Sequence, residues 1–280
     1  MSKIKYFQPK KIVEIASSTF LTIFFSTIFP AQGVEFIAPN NIDGTRIQLE
    51  NRQQHLPPAS TSSYLYRDTS AHRQRCSIDF KSVALVPENL YGLTASGSPS
   101  FFFYSIKYVT DSKNSNNREI FGEFILEDDN QVEIYQQDLK FDSDYGVVSI
   151  QFPSEEILPP LEVNKTYTWY LDIYTKDGES NGLVGWIKRV QLSPQFWEQL
   201  AAASPLEQAI LYAETGLWYD ALQILAQLRL TDSDNQVIEN EWRELLASVG
   251  LDSDIFTAPL LSDKLLQYKN NHPEQQIKCI

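Results

Sequence analysis

The sequence predicts an α+β fold: an antiparallel β-sandwich of about seven strands followed by a small C-terminal helical module. Two observations carry this. Between about Ser82 and Leu192 the apolar segments are short, alternate with period two and have no helical pattern between them. At Ser193-Pro194 the period changes to about three and a half, and capping signals take over.

The strands are expected in order. Val83 to Val86 is a short apolar run closed by Pro87, and Ser100 to Tyr108 is dense in aromatics. Glu119 to Glu127 and Gln131 to Leu139 flank the turn Asp128-Asp129-Asn130. In Gly146 to Phe152, Val148, Ile150 and Phe152 share one face. In Thr166 to Thr175, Tyr167, Trp169, Leu171 and Ile173 oppose Thr168, Tyr170, Asp172 and Tyr174. Leu183 to Leu192 completes the set.

Ser204-Pro205-Leu206-Glu207 is a capping box with proline at the first helical position. That helix runs to about Thr215 and ends at Gly216, where a left-handed residue is wanted. A second helix, about Trp218 to Arg229, aligns Ala221, Ile224, Leu225 and Leu228. A third begins near Asn235, capped by Ser233 or Asp234, and aligns Ile238, Trp242, Leu245, Leu246 and Val249 before Gly250. The expected organisation is therefore a signal peptide (1–33), a polar mobile lead-in (34–75), the sandwich (76–192), the helical module (193–250) and a polar tail (251–280).

The N-terminus places Lys3, Lys5, Lys10 and Lys11 before an apolar run from Ile15 to Phe29, then Pro30-Ala31-Gln32-Gly33. This is the grammar of a secretory signal cleaved after Gly33. A retained membrane anchor is the competing reading, but the run is shorter than the roughly twenty residues a span requires. The product is expected in the periplasm or outside the cell, with no membrane span after cleavage. Removing residues 1–33, with four lysines and one glutamate, takes the net charge from −13 to −16. Such acidity excludes nucleic acid as a natural partner, because that recognition needs a basic footprint. Cys76 and Cys279 permit one bridge in an oxidising compartment, and sequence alone leaves open whether they meet.

No catalytic residues, metal or cofactor are expected. Gly178-Glu179-Ser180-Asn181-Gly182 matches a hydrolase nucleophile elbow, but that device needs a helix after the serine, and a strand is expected here. Asp-Ser-Asp occurs at 142–144, 232–234 and 252–254 without the glycine and glutamate of a calcium loop. Glu155 and Glu156 are adjacent on an extended chain and point oppositely, unlike a glycosidase pair. His55, His72 and His272 lie in polar segments, and two cysteines give no zinc spacing. Two interaction surfaces remain: Trp218 and Tyr219 near the helical turn, for another envelope protein, and Tyr170 and Tyr174 on the outward strand face, for a surface glycan. A hydrolase with an unrecognised site is the third reading.

The helix ending at Gly216, with Trp218 and Ala221 after it, resembles one tetratricopeptide unit over Leu206 to about Leu230. A lone unit cannot bury its own face, so these helices are expected to pack on the sandwich or on one another. Over a longer span, Val83-Ala84-Leu85-Val86-Pro87, Gly92-Leu93-Thr94 and Pro99 to Tyr104 form an ordered series with Pro159 to Val163, Tyr167 with Trp169, and Gly185-Trp186-Ile187 with Arg189. With the helical stretch Tyr212 to Arg229, this series resembles the cyanobacterial exported-protein family called domain of unknown function nine-two-eight (DUF928), from about Cys76 to Val249. The resemblance implies an envelope location and brings no catalytic residues. The family often has a second cysteine just after the tryptophan strand, where this chain has Thr175, so Cys76 is left either bridged to Cys279 or as a free thiol.

Overall fold

The computed structural model describes residues 36–37, 80–107, 119–141, 145–175, 180–261 and 265–267. The expected signal segment (residues 1–33), Cys76, Cys279, the three histidines and Asp142 to Asp144 lie outside the described residues. Among the described residues, no helix is long and apolar enough to cross a membrane.

The period-two segments become strands β1 (Phe80–Ala84), β3 (Ser100–Lys107), β4 (Ile120–Glu127), β5 (Glu133–Phe141), β6 (Tyr145–Gln151), β7 (Thr166–Thr175) and β8 (Ser180–Arg189). Three short strands join them: β2 (Tyr91–Thr94), β9 (Leu260–Leu261) and β10 (Leu265–Gln267). They form a four-stranded sheet, β1-β3-β6-β9, and a six-stranded sheet, β10-β5-β4-β7-β8-β2. The facing sides interlock through aromatics: Phe101 meets Phe124 at 4.9 Å between ring centroids, and Phe103 meets Trp169 edge-on at 5.5 Å.

The sheets are not purely antiparallel. β2 runs parallel to β8, and β9 parallel to β6. Neither pair is a hairpin: each short strand reaches its partner after a long excursion, so turn geometry does not set its direction. Residues 251–261, the start of the expected tail, are likewise not polar and loose. Leu251, Ile255 and Ala258 are buried, a short helix α5 (Ser253–Phe256) forms, and β9 and β10 return to the two sheets. These pieces are too short to show a period.

The helices are α1 (Pro194–Ala202), α2 (Pro205–Glu214), α3 (Trp218–Thr231) and α4 (Gln236–Ser248). Ser193 caps α1 by accepting from the Phe196 amide. The expected capping box opens α2: the Ser204 amide donates to Glu207 Oε2 at 2.7 Å, and Ser204 Oγ accepts from the Glu207 amide. Gly216, at φ +77°, turns the chain into α3. The cap of α4 differs from expectation. Ser233 and Asp234 lie in the preceding turn, and Asn235 Oδ1 accepts from the Val237 amide at 3.0 Å, held in place by Asp232.

The helices share the sandwich core rather than forming one of their own. Trp169 of β7, Trp218 of α3 and Trp242 of α4 are all fully enclosed in one contiguous apolar cluster. Even the lead-in contributes: Phe36 meets Trp218 edge-on at 5.0 Å, and the Ile37 amide donates to the Ala213 carbonyl. Gly185 on β8 allows the closest approach, because a Cβ there would sit 2.6 Å from Cε2 of the Trp169 indole. Gly185→Ala is therefore expected to destabilise the fold by about 2 kcal/mol, the cost of forcing an overpacked core to shift. Urea unfolding of the variant beside the parent protein measures it, and an unchanged midpoint would contradict this packing.

Candidate functional site

The six-stranded sheet has an inner face filled by the core and an outer face that follows from the same alternation. On β7 the inner residues are Tyr167, Trp169, Leu171 and Ile173, all buried, which places Thr168, Tyr170, Asp172 and Tyr174 outside. Register then brings β4 alongside: Phe121 lies opposite Tyr174, Glu123 opposite Asp172, Ile125 opposite Tyr170 and Glu127 opposite Thr168. On the other flank Val184 lies opposite Tyr170, Trp186 opposite Thr168, and Tyr91 of β2 opposite Trp186.

The result is a band of aromatic plates bordered by carboxylates. Tyr174 stacks on Phe121, with centroids 5.9 Å apart and planes 23° from parallel. Tyr170 is half-buried and its hydroxyl donates to the Glu127 carboxylate. Burial, reinforced by Glu127, pushes the Tyr170 hydroxyl up to about 12, so it remains a neutral donor at any physiological pH. Burial likewise raises Glu127, against the lowering effect of that bond. Tyr91, half-buried and hydrogen-bonded to Thr166, is also pushed up to about 12 by desolvation. Flat apolar plates next to acceptor carboxylates can stack on the C–H face of a ring ligand while the carboxylates accept from its hydroxyls.

Tyr170 and Tyr174 thus stand on one face, as their shared parity requires. Phe121, Glu127, Trp186 and Tyr91 complete it. The alternation of β7 pointed to an outer side for Tyr170 and Tyr174, but register alone shows which residues lie opposite.

Trp218 and Tyr219 are not a surface. They are 0% and 1% exposed. Trp218 Nε1 donates to the Leu85 carbonyl at 2.9 Å, at the end of β1. Trp169 Nε1 donates to the Tyr219 hydroxyl at 2.9 Å, and that hydroxyl reaches the Trp186 carbonyl at 3.4 Å. The Tyr219 ring lies over Gly92, where a Cβ would sit 2.8 Å from it. Apolar bodies this large are driven into the core, and their polar tips find partners there.

The other sequence candidates scatter. Ser180 begins β8 opposite Tyr174, and the chain continues as strand to Arg189 where an elbow would need a helix. Glu155 and Glu156 lie in an exposed turn. Among the described residues, no group of three or more His, Cys, Asp or Glu gathers as a metal site would require.

Residues 68–260 match the family described as Domain of Unknown Function (DUF928). The chain belongs to this family. The matched span runs from before β1 to the first residue of β9, so the DUF928 domain includes the helices and α5 as well as the sandwich. Among curated proteins none matches the chain.

Tyr219→Phe removes the acceptor of the Trp169 indole inside the core. It is expected to cost about 1–3 kcal/mol of stability, the penalty for a buried unpaired donor. Chemical denaturation followed by tryptophan emission measures it, and stability equal to the parent's would contradict the bond.

Proposed function

We propose that this DUF928 protein is exported to the cell envelope and acts there without catalysis, holding a glycan against the outer face of its six-stranded sheet. The observation that carries this is the alignment of Tyr174 on Phe121, Tyr170, Trp186 and Tyr91 across four neighbouring strands, with Glu123, Glu127 and Asp172 between them. Aromatic rings on a sheet supply stacking area at little conformational cost, and the acidic neighbours accept hydroxyl bonds. The secretory signal at residues 1–33 supports a location where surface glycans are at hand.

A second reading, contact with another envelope protein through the helical module, rests on Trp197 rather than on Trp218 and Tyr219. Helix α1 buries only Leu200 and leaves Trp197 49% exposed. An exposed tryptophan on a lightly packed helix is a natural anchor for a protein partner.

The two readings separate cleanly. Tyr174→Ala and Tyr170→Ala are expected each to weaken glycan affinity about tenfold, the value of one lost stacking contact, with the folded state intact. Titration with neutral oligosaccharides, followed by calorimetry or tryptophan emission, reads this. Binding that survives both substitutions, or fails in the parent, would sink the glycan reading. Loss of a co-purifying envelope protein on Trp197→Ala alone would instead favour the second.

A further inference from the structure

Two residues of the lead-in, Phe36 and Ile37, belong to no helix or strand, yet they fasten three helices together. The Phe36 ring is only 8% exposed and meets Trp218 of α3 edge-on at 5.0 Å. Its amide donates at 3.3 Å to Ser248 Oγ, on the last residue of α4, and that hydroxyl donates to the Leu245 carbonyl at 2.7 Å. One residue further, the Ile37 amide donates at 3.2 Å to the Ala213 carbonyl in the last turn of α2. The Ile37 side chain is 55% exposed, so Phe36 is the anchor.

The place of this strap in the chain gives it a consequence. The scissile bond expected of the secretory signal, between Gly33 and Val34, is separated from Phe36 by Val34 and Glu35 alone. A peptidase that reads small residues at minus three and minus one, here Ala31 and Gly33, must hold the chain extended, because only then do alternate residues share a side. The residues just after the bond have to enter the same cleft. Two extended residues span about 7 Å, less than the roughly 10 Å diameter of one helix. A docked Phe36 therefore holds the bond so near the folded body that a cleft cannot close around it.

We propose that Phe36 is a processing strap: hydrolysis after Gly33 comes first, and insertion of Phe36 beside Trp218 then closes the helical junction behind the new N-terminus. The hydrolysis adds one water across the Gly33–Val34 amide, leaving a carboxylate on Gly33 and an ammonium on Val34. A precursor whose strap has already docked resists cleavage, and one whose strap is open is a substrate. This order rests on the export reading and is independent of the glycan face.

The test incubates full-length precursor, folded in detergent micelles, with a bacterial signal peptidase. Beside it stand a variant with about ten Gly and Ser residues inserted between Glu35 and Phe36, and the unfolded segment 1–37 alone. The insertion leaves Phe36 able to dock but adds an average reach of about 17 Å. Cleavage of the folded parent after Gly33 is expected to be roughly a hundredfold slower than that of the spacer variant or the short segment, because it waits for the strap to open and expose a buried aromatic. Phe36→Ala, which removes the anchor, is expected to bring the parent's rate close to the spacer variant's; if that substitution does not fold, the spacer variant decides. Equal rates for the parent and the spacer variant, with the short segment cleaved after Gly33, would overturn the strap alone. An intact short segment would remove the export reading and the strap with it.

Discussion

The architecture depends on where two indole N–H groups and one phenol find their partners. Trp218 and Tyr219 open α3 as consecutive residues, and both enter the core, where an unpaired polar tip would be penalised. Trp218 bonds the end of β1, while Tyr219 accepts from Trp169 of β7 and reaches the backbone of β8. These bonds fix α3 in direction as well as position. Phe101 and Phe36 close around the pair, the first edge-on to Tyr219 at 5.6 Å and the second edge-on to Trp218. The sandwich and the helices are consequently one folding unit. Deleting 194–250 would remove part of the shared core, and the resulting loss of any activity would say nothing about a surface on the helices.

Much of this was legible in the sequence, for reasons that differ by element. β7 and β6 read clearly because each has one wet and one dry face, so their period survives in the composition. α2 read clearly because its boundaries are chemical: a serine, a proline and a glutamate at one end and a glycine at the other. β2, β9 and β10 did not, since two to four residues cannot show a period and their pairing partners are distant in the chain. The cap of α4 was misplaced by one or two positions because Asp232, Ser233, Asp234 and Asn235 are all competent, and only the geometry of the turn selects among them.

The reading of Trp218 and Tyr219 as a surface failed for a correctable reason. Helical spacing from Trp218 reaches Ala221, Leu222 and Leu225, and from Tyr219 reaches Leu222 and Ala226, all of them buried. The stripe was present in the sequence, and proximity to a turn obscured it. Tyr170 and Tyr174 were easier, because in a strand parity alone separates outside from inside. Parity could not supply Phe121, Trp186 and Tyr91 as neighbours. They come from register between three strand pairs, a property of the whole sheet rather than of any one segment.

Parity also explains how the seam and the outer face coexist. The helices dock on inward positions of the sheet edge, with Tyr219 over Gly92 and Asp220 bonded to Thr94, two residues further along β2. The intervening parity belongs to the other side, where Tyr91 lies opposite Trp186 and extends the aromatic band. One short strand thus carries the helical junction on one side and the last plate of the proposed binding face on the other. Because β2 pairs with β8 alone among the strands of its sheet, the contacts of α3 on its inner side are a principal restraint on its position. The position of Tyr91 therefore depends on the junction that α3 makes with Gly92 and Ala95.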